Sequence, residues 1–256
     1  MSEPQWKSAI TTHVHHEPYL RGYRLLDLVG HYSFSQVAYL ALKGELPTPA
    51  EARVLDAMFV SVVDHGIAVP SAVANRTVIS GGNPLHVGVA AGVLTFGEAH
   101  GGAIESAARI MQATAAREGD VAELARERVA QARANKERLP GYGHRYYKVA
   151  DPRTKRLFDI AREEHFYGRH CELAAAMAVE LKAQTGRSLV LNVDGVIAAI
   201  ISDMGFDWRL GKGFFIIGRT VGLVAHAFEE ISRERPFRRL DEDNFYYDGP
   251  APRDLP

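Results

Sequence analysis

The sequence predicts an all-α fold, and three observations support this class. Apolar residues recur three and four positions apart along most of the 256-residue chain, as they do on the buried face of a helix. Residue types that start and stop helices flank these segments. Alternation of apolar and polar residues, typical of a half-buried strand, is nearly absent, and only residues 188–191 show a short extended pattern.

The helix boundaries follow in chain order. Helical patterns cover residues 22–30 and 34–43. Thr48, Pro49 and Glu51 then form a capping box with proline at the first helical position, which predicts a helix beginning at Pro49. Its apolar residues, predicted to be buried, are Val54, Leu55, Met58, Phe59 and Val62. The remaining helical patterns cover 102–116, 119–137, 152–165, 171–184, 194–204 and 210–233.

Composition excludes several classes of protein. With 46% hydrophobic and 24% charged residues, the chain has the proportions of a compact globular protein. Its 30 basic and 31 acidic residues give a net charge of −1, so no global field favours nucleic acid or an anionic membrane. Cys171 is the only cysteine and has no disulfide partner, and the sequence contains neither a signal-peptide pattern nor a membrane span. We therefore expect a cytoplasmic protein.

Polar groups suited to catalysis lie beside glycine-marked breaks between the helices. His100 stands in GEAHGG, His144 in GYGHR and Asp194 in LNVDG. Proton transfer at a carbon next to a carbonyl needs a positioned acid or base, and the oxygen that gains charge needs hydrogen-bond donors. Taken alone, a histidine beside glycine is more often a capping or core group than a catalytic one.

Asp194 has the least ordinary surroundings of the three. Its neighbours Val190, Leu191, Val193 and Val196 are apolar, and an ionised carboxylate there is costly unless it is paired or functional. The structural alternative is that Asp194 is the N-cap of a helix beginning with the next residue.

Five segments in the same order resemble the citrate synthase superfamily over nearly the whole chain. They are LRGYRLLDLVGHYSFSQVAYLALKGELPTPAE, FGEAHGGAIESA, GYGHRYYKVADPR, LNVDGVIAAII and GRTVGLVAHAFEE. The resemblance implies a helical, homodimeric enzyme that joins acetyl-CoA to oxaloacetate or cleaves citryl-CoA back to them. It also implies a short form that lacks part of the N-terminal scaffold.

The resemblance assigns roles residue by residue. His144 would hydrogen-bond the keto oxygen of oxaloacetate or the citryl hydroxyl, Asp194 would exchange a proton with the acetyl carbon, and His100 would stabilise the enolate oxygen. Arg153, Arg219 and Arg235 would bind carboxylates, with Arg235 supplied by the partner subunit. Planar guanidinium groups suit that task because they bind carboxylates through two hydrogen bonds. The last residue assigned in this way is Lys148, a position for CoA phosphates.

One segment departs from citrate synthase towards citryl-CoA lyase. Citrate synthases have an oxaloacetate-binding histidine in an HxDHE-type motif, and Val62 stands in its place here. The segment DHGIAVPSA at 64–72 instead resembles stand-alone citryl-CoA lyases and the lyase module of ATP-citrate lyase. That module commonly lacks a histidine in the FGEAHGG position, whereas His100 is present. His65 is either a substrate ligand or part of a structural pair with Asp64.

These features predict citryl-CoA cleavage with a CoA thioester as substrate, no tightly bound cofactor and no metal. The same site is compatible with condensation of an acyl-CoA with a 2-oxo acid. A non-catalytic CoA-binding protein and a metal-dependent aldolase are the alternatives of other classes. His13, His15 and His16 form either an exposed arm or a metal-binding cluster. The predicted organisation is an N-terminal arm at 1–20, a catalytic domain at 21–235 and a C-terminal arm at 236–256.

Overall fold

A computed structural model of the chain describes residues 6–144, 147 and 149–255. Because 59% of it is helical, the all-α prediction is confirmed. No helix among these residues is both long enough and apolar enough to cross a membrane.

The helices are named in chain order. They are α1 Leu25–Leu28, α2 Phe34–Lys43, α3 Pro49–Val62, α4 Pro70–Ser80, α5 Leu85–Leu94, α6 Ala103–Ala115, α7 Val121–Ala134, α8 Pro152–Glu163, α9 Arg169–Thr185, α10 Val193–Asp203 and α11 Gly211–Arg233. Short 3-10 turns cover Trp208–Leu210 and Glu242–Asn244.

A small antiparallel sheet precedes them and was not predicted. Strand β1 Thr11–Val14 pairs with β2 Glu17–Leu20, which pairs with β3 Tyr23–Arg24. The two-residue turn of the first hairpin places His15 and His16 at φ values of 50° and 68°, the left-handed geometry that such turns require. Helix α1 is therefore shorter than the predicted 22–30.

Local capping explains where several helices begin. Ser33 and Gln36 form a capping box at the start of α2, and Thr48 and Glu51 form the predicted one at the start of α3. Each pair satisfies backbone N–H groups that the first helical turn leaves without partners. The start of α3 at Pro49 is thereby confirmed.

The chain divides into two compact units. The first comprises Met1–His65 and Phe96–Val221, and the second comprises Gly66–Thr95 and Gly222–Pro256. In the first unit α10 is the central helix, because it packs against α3, α6, α8 and α9. Every residue from 196 to 201 is at most 1% exposed. Close packing around these residues holds α10 rigidly in place, so side chains in its first turn have well-defined positions.

The second unit contains α4 and α5, two helices that the helical patterns of the sequence do not include. In α5 two glycines interrupt a segment that is apolar on every side, so no helical periodicity is visible. The glycines allow close packing: a Cβ on Gly88 would lie 2.6 Å from a side-chain carbon of Ile79. Arg76 on α4 is 5% exposed and bonds to Glu230, which also accepts from Arg238. This ion-pair network anchors the segment that follows α11.

Candidate active site

Two loops in the first unit bring the GYGH and NVD motifs together. The backbone N–H of Gly143 donates to the Val190 carbonyl at 2.7 Å, and the N–H of Asn192 donates to the Gly141 carbonyl at 2.9 Å. The Asn192 side chain donates to the Gly143 carbonyl at 2.8 Å. His144 is therefore held beside the start of α10.

This approach depends on glycine at position 195. A Cβ on Gly195 would lie 2.5 Å from the Gly141 carbonyl oxygen, which is too close for any side chain. The glycine after the motif aspartate thus has a packing role. It lets the His144 loop lie directly against the first turn of α10.

Asn192, and not Asp194, caps α10. Its side-chain oxygen accepts from the N–H groups of Asp194 and Gly195 at 3.0 and 3.1 Å. The structural alternative for Asp194, an N-cap role, is therefore wrong. Because Asn192 caps the helix, the Asp194 carboxyl is not used for capping. It lines a cavity beside the first turn of α10.

That cavity has a volume of about 140 Å³ and brings together six of the predicted site residues. They are His65, His100, His144, Arg153, Asp194 and Arg219. Several other residues line the cavity that were given no role from the sequence, among them Glu98, Asn192 and Phe215. Asn192 lies within the NVD motif, and that position could have indicated its presence in the site. Phe215 could not be recognised in this way, because in the sequence it is an ordinary apolar residue of α11.

Arg153 lies between two of the histidines. Its Nη1 is 3.4 Å from His65 Nδ1, and its Nη2 is 3.4 Å from His144 Nε2. The backbone N–H of Tyr147 donates to His144 Nδ1 at 3.1 Å. Because that bond uses Nδ1 as an acceptor, a neutral His144 carries its proton on Nε2. The 3.4 Å approach of Arg153 Nη2 to Nε2 is then a contact of two donors, which a substrate oxygen can bridge by accepting from both.

His65 and His100 are kept neutral by their surroundings. Burial lowers the pKa of His65 below its usual value, and the charge of Arg153 lowers it further. Burial also lowers the pKa of His100, followed by the effect of Arg219. The ring of His100 packs against Phe96 and Phe215, at centroid distances of 5.6 and 6.1 Å. Both histidines thus remain available as neutral donors at physiological pH.

Arg219 is almost completely buried, with 3% of its surface exposed. Its Nε donates to the Val62 carbonyl at 2.8 Å, and its guanidinium lies 4.8 Å from the Phe215 ring centroid. Among the described residues its buried Nη1 has no hydrogen-bond acceptor. A buried donor without a partner is costly, and a ligand carboxylate would satisfy it.

The Asp194 carboxyl has a strongly perturbed acidity. Burial raises its pKa to about 6, against the opposing effect of Arg153 and Arg219. A carboxyl with this pKa exists in both protonation states near neutral pH, which suits a group that gives or takes a proton.

The other predicted residues lie elsewhere. Arg235 belongs to the second unit, where it lines a cavity of about 390 Å³. Lys148 lies outside the described residues, so its predicted role stays a prediction. His13, His15 and His16 are exposed around the first hairpin. No group of three or more histidine, cysteine, aspartate or glutamate residues in the described part of the chain is arranged to hold a metal ion.

Two larger cavities adjoin the site within the first unit. One of about 530 Å³ shares Glu98, Ala99, Ala103, Asn192 and Asp194 with the small cavity and also contains Arg109 and Arg138. The other, of about 630 Å³, is lined by three arginines together with His144 and Tyr147. Its arginines are Arg133, Arg138 and Arg187.

Comparison with known proteins identifies relatives of this arrangement. Residues 47–240 match the family model described as citrate synthase, C-terminal domain. The solved structure of citryl-CoA lyase from Hydrogenobacter thermophilus is 60% identical, with a TM-score of 0.93 over 99% of this chain and 98% of that one. ATP citrate lyase from Methanosaeta concilii, solved in complex with (3S)-citryl-CoA, is 25% identical, with a TM-score of 0.84 over 98% of this chain and 43% of that one.

Curated relatives include citrate synthases. That of Acidithiobacillus ferridurans is 30% identical over 208 residues, or 77% of this chain and 51% of the relative. The chain thus spans about half the length of this relative, and 36% of a probable ATP-citrate synthase from Dictyostelium discoideum. The family model covers most of the chain, and the small cavity lies at the motifs through which the sequence resembles that family. The chain therefore belongs to the citrate synthase family.

Proposed function

We propose that this protein cleaves the central carbon–carbon bond of citryl-CoA, producing acetyl-CoA and oxaloacetate. The observation that carries the proposal is the small cavity, which places Asp194, with its pKa near 6, beside two neutral histidines and two arginines. The similarity to a citryl-CoA lyase along nearly the whole of both chains supports the same activity.

The arginine side of the cavity suits the oxo-acid half of the substrate. Arg153 and Arg219 offer guanidinium donors at two points of its lining, and oxaloacetate has two carboxylates. His144 lies beside Arg153, where its Nε2–H can bond the substrate oxygen that changes from hydroxyl to carbonyl. Oriented donors of this kind stabilise the charge that develops on an oxygen as the bond breaks.

Cleavage then runs as a retro-Claisen reaction. The O–H bond and the central C–C bond of the citryl group break, and a C=O bond forms on the oxo acid. The hydroxyl proton passes to solvent, from which Asp194 regains its own proton after turnover. The electron pair of the C–C bond passes to the acetyl group as an enolate, whose oxygen is stabilised by His100. Asp194 in its protonated form supplies a proton to the enolate carbon, which completes acetyl-CoA.

The two larger cavities provide room for the rest of the CoA ester. The cavity of about 530 Å³ shares Asp194 with the small one, so a thioester bound there can reach the acid. Arg138 lines both larger cavities, and Arg133 and Arg187 add further positive charge. We propose that these arginines bind CoA phosphates and that the CoA ester is a substrate rather than a resident cofactor.

Condensation of acetyl-CoA with oxaloacetate is the second candidate. Similarity to citrate synthases favours it, and the same groups serve the reaction in reverse. A non-catalytic CoA-binding role fits less well. Binding alone does not require a buried carboxyl whose pKa is raised towards neutral pH, nor two neutral histidines beside it.

The acidity of Asp194 predicts a specific pH dependence. Because the protonated carboxyl is the active form in cleavage, kcat/KM should fall about tenfold per pH unit well above pH 6. Exchange of the acetyl-CoA methyl protons with D2O starts from the carboxylate, so it should rise through the same range and then level off. Stopped-flow kinetics and NMR measure the two profiles. A cleavage rate that increases between pH 6 and 8 would contradict the role of Asp194 as the acid.

We further propose a homodimer in which Arg235 of each subunit completes the partner's site. Val224, Phe228 and Ile231 share one face of α11 and are 40%, 62% and 53% exposed. An apolar stripe of this kind is suited to a self-complementary contact. Arg235 follows two residues after the end of α11, so it would lie close to such an interface.

Subunit mixing tests the shared site. Arg235→Ala and Asp194→Asn should each be inactive alone. Hybrids formed by co-refolding equal amounts should regain about a quarter of the wild-type activity, because half of the dimers then contain one intact site out of two. Absence of recovery, with hybrids demonstrated by mass spectrometry, would refute the shared site.

Substrate identity is tested with a panel of CoA esters. Purified protein is incubated with citryl-, methylcitryl- and citramalyl-CoA, and products are identified by mass. We expect acetyl-CoA and oxaloacetate from citryl-CoA at the highest kcat/KM. Faster cleavage of another ester would keep the reaction type and change the substrate, whereas no cleavage of any ester would refute the proposed function.

A further inference from the structure

Asp151 is a buried carboxylate at the first turn of α8, outside the lining of the small cavity. It is 1% exposed, and its side chain is completely buried. An ionised group in this position must have its charge and its acceptor atoms satisfied by the protein.

Asp151 makes contacts to two helices. At the start of α8 its Oδ1 accepts from the backbone N–H of Arg153 at 3.0 Å and from Arg153 Nε at 3.1 Å. Its Oδ2 accepts from Arg153 Nη2 at 2.8 Å. The same oxygen accepts from the backbone N–H of Val193, the first residue of α10, at 3.2 Å.

These bonds tie the Arg153 guanidinium to the turn that contains Asp194. Arg153 Nη2 is bonded to Asp151 and also lies 3.4 Å from His144 Nε2, while its Nη1 lies 3.4 Å from His65. The two-point bond restricts rotation of the guanidinium, so its position relative to both histidines is set by Asp151.

A second aspartate in the same unit shows what is special about Asp151. Asp207 accepts from the backbone N–H and Nε of Arg209, each at 2.9 Å, and from Arg209 Nη2. The local arrangement is the same, but the side chains of Asp207 and Arg209 are 42% and 72% exposed. Pairing two residues apart is therefore a local property of the chain. Burial, the bond to α10 and the proximity to two site histidines distinguish the pair of Asp151 with Arg153.

We infer that Asp151 is a positioning residue for the oxo-acid half of the site, acting through Arg153 and not by touching the substrate. This inference rests on the proposed function, because it takes Arg153 as a ligand of the oxo acid. Its consequence is selective: loss of Asp151 weakens oxo-acid binding and leaves the larger cavities, where CoA is proposed to bind, unchanged.

Binding measurements on Asp151→Asn test the selectivity. Asparagine is a good N-cap, but its single acceptor oxygen cannot replace both carboxylate oxygens opposite Arg153 and Val193. Isothermal titration should show oxaloacetate affinity at least about 10-fold weaker, the equivalent of one charge-assisted hydrogen bond. Affinity for free CoA should stay within about twofold of the wild type, well short of the loss expected for oxaloacetate. Asp207→Asn is the matched control and should change neither affinity.

A double-mutant cycle with Arg153→Lys separates positioning from a general effect on folding. If Asp151 acts through Arg153, the Asp151 substitution should cost less than about threefold in oxaloacetate affinity once Arg153 has been replaced. Additive losses, or an equal loss of CoA affinity, would overturn the inference. If Asp151→Asn does not fold, Asp151→Ser retains a capping hydroxyl and removes the same pairing.

The cycle does not depend on turnover. A wild-type protein that binds oxaloacetate but does not cleave citryl-CoA would refute the proposed function and leave the comparison of affinities intact. A wild-type protein with no oxaloacetate affinity would overturn both.

Discussion

Replacement of Asp194 by asparagine should lower kcat for citryl-CoA cleavage about 1000-fold, within the range that one positioned acid contributes. Asparagine has nearly the same shape but cannot supply a proton to the enolate carbon. The substrate should still bind, since Arg153 and Arg219 remain in place. The loss should therefore appear in kcat. CoA affinity should stay within about twofold of the wild type, a change far smaller than the one expected in kcat.

The stability of this variant provides a check that the loss is chemical. Burial raises the pKa of Asp194 in the folded protein above its usual value, so the ionised form destabilises the fold. That penalty grows as pH rises from the unfolded pKa to the folded one, near 6, and persists above it. Asp194→Asn should consequently melt at the same or a higher temperature at pH 8. Glu123→Gln, in the first turn of α7, is the surface control, and turnover near wild type in Asp194→Asn would refute the assigned role.

Replacement of His144 by asparagine should lower kcat/KM for cleavage about 100-fold to 1000-fold, the cost of removing one oriented donor from a developing oxyanion. The effect should include weaker oxaloacetate binding, because the Nε2–H of His144 is proposed to contact the carbonyl oxygen already in the bound product. Affinity for free CoA gives the reference for the intact part of the site.

Steady-state kinetics with citryl-CoA and titration with oxaloacetate measure the two parts of this effect. The control is His86→Asn, an exposed histidine of α5 that does not line the small cavity. An unchanged oxaloacetate affinity together with a large loss of kcat would show that His144 acts only in the transition state. The assigned role of His144 would be refuted if kcat/KM and oxaloacetate affinity each fell by less than about threefold, because removing such a donor usually costs much more.

The sequence predicted the fold where helices have one apolar face and explicit boundaries. Helix α3 begins at Pro49 because Thr48 and Glu51 cap it locally, and these three residues are recognisable without the rest of the chain. Helix α5 lacks such signals, since it is apolar on every side and contains two glycines whose role depends on Ile79 and Leu223. The N-terminal sheet was missed because its strands are short and their burial does not alternate: β1 is exposed at every residue and β2 is partly buried at every residue.

The sequence indicated the site as separate motifs, but not the contacts between them, which depend on how the helices pack. His100, His144, Asp194 and Arg219 come from four separate motifs and line one cavity. The sequence did not reveal that Asn192 and not Asp194 caps α10, because either residue type can cap a helix. The bond from Asp151 to α10 joins residues more than forty positions apart. Such contacts follow from tertiary structure and leave no periodic signal in the chain.

Product analysis with citryl-CoA as the only substrate tests the proposed lyase activity most directly. We expect the wild-type protein to form acetyl-CoA and oxaloacetate in equal amounts and Asp194→Asn to form neither. Citrate and free CoA as the main products would show thioester hydrolysis of the citrate synthase type and would contradict the proposed lyase activity.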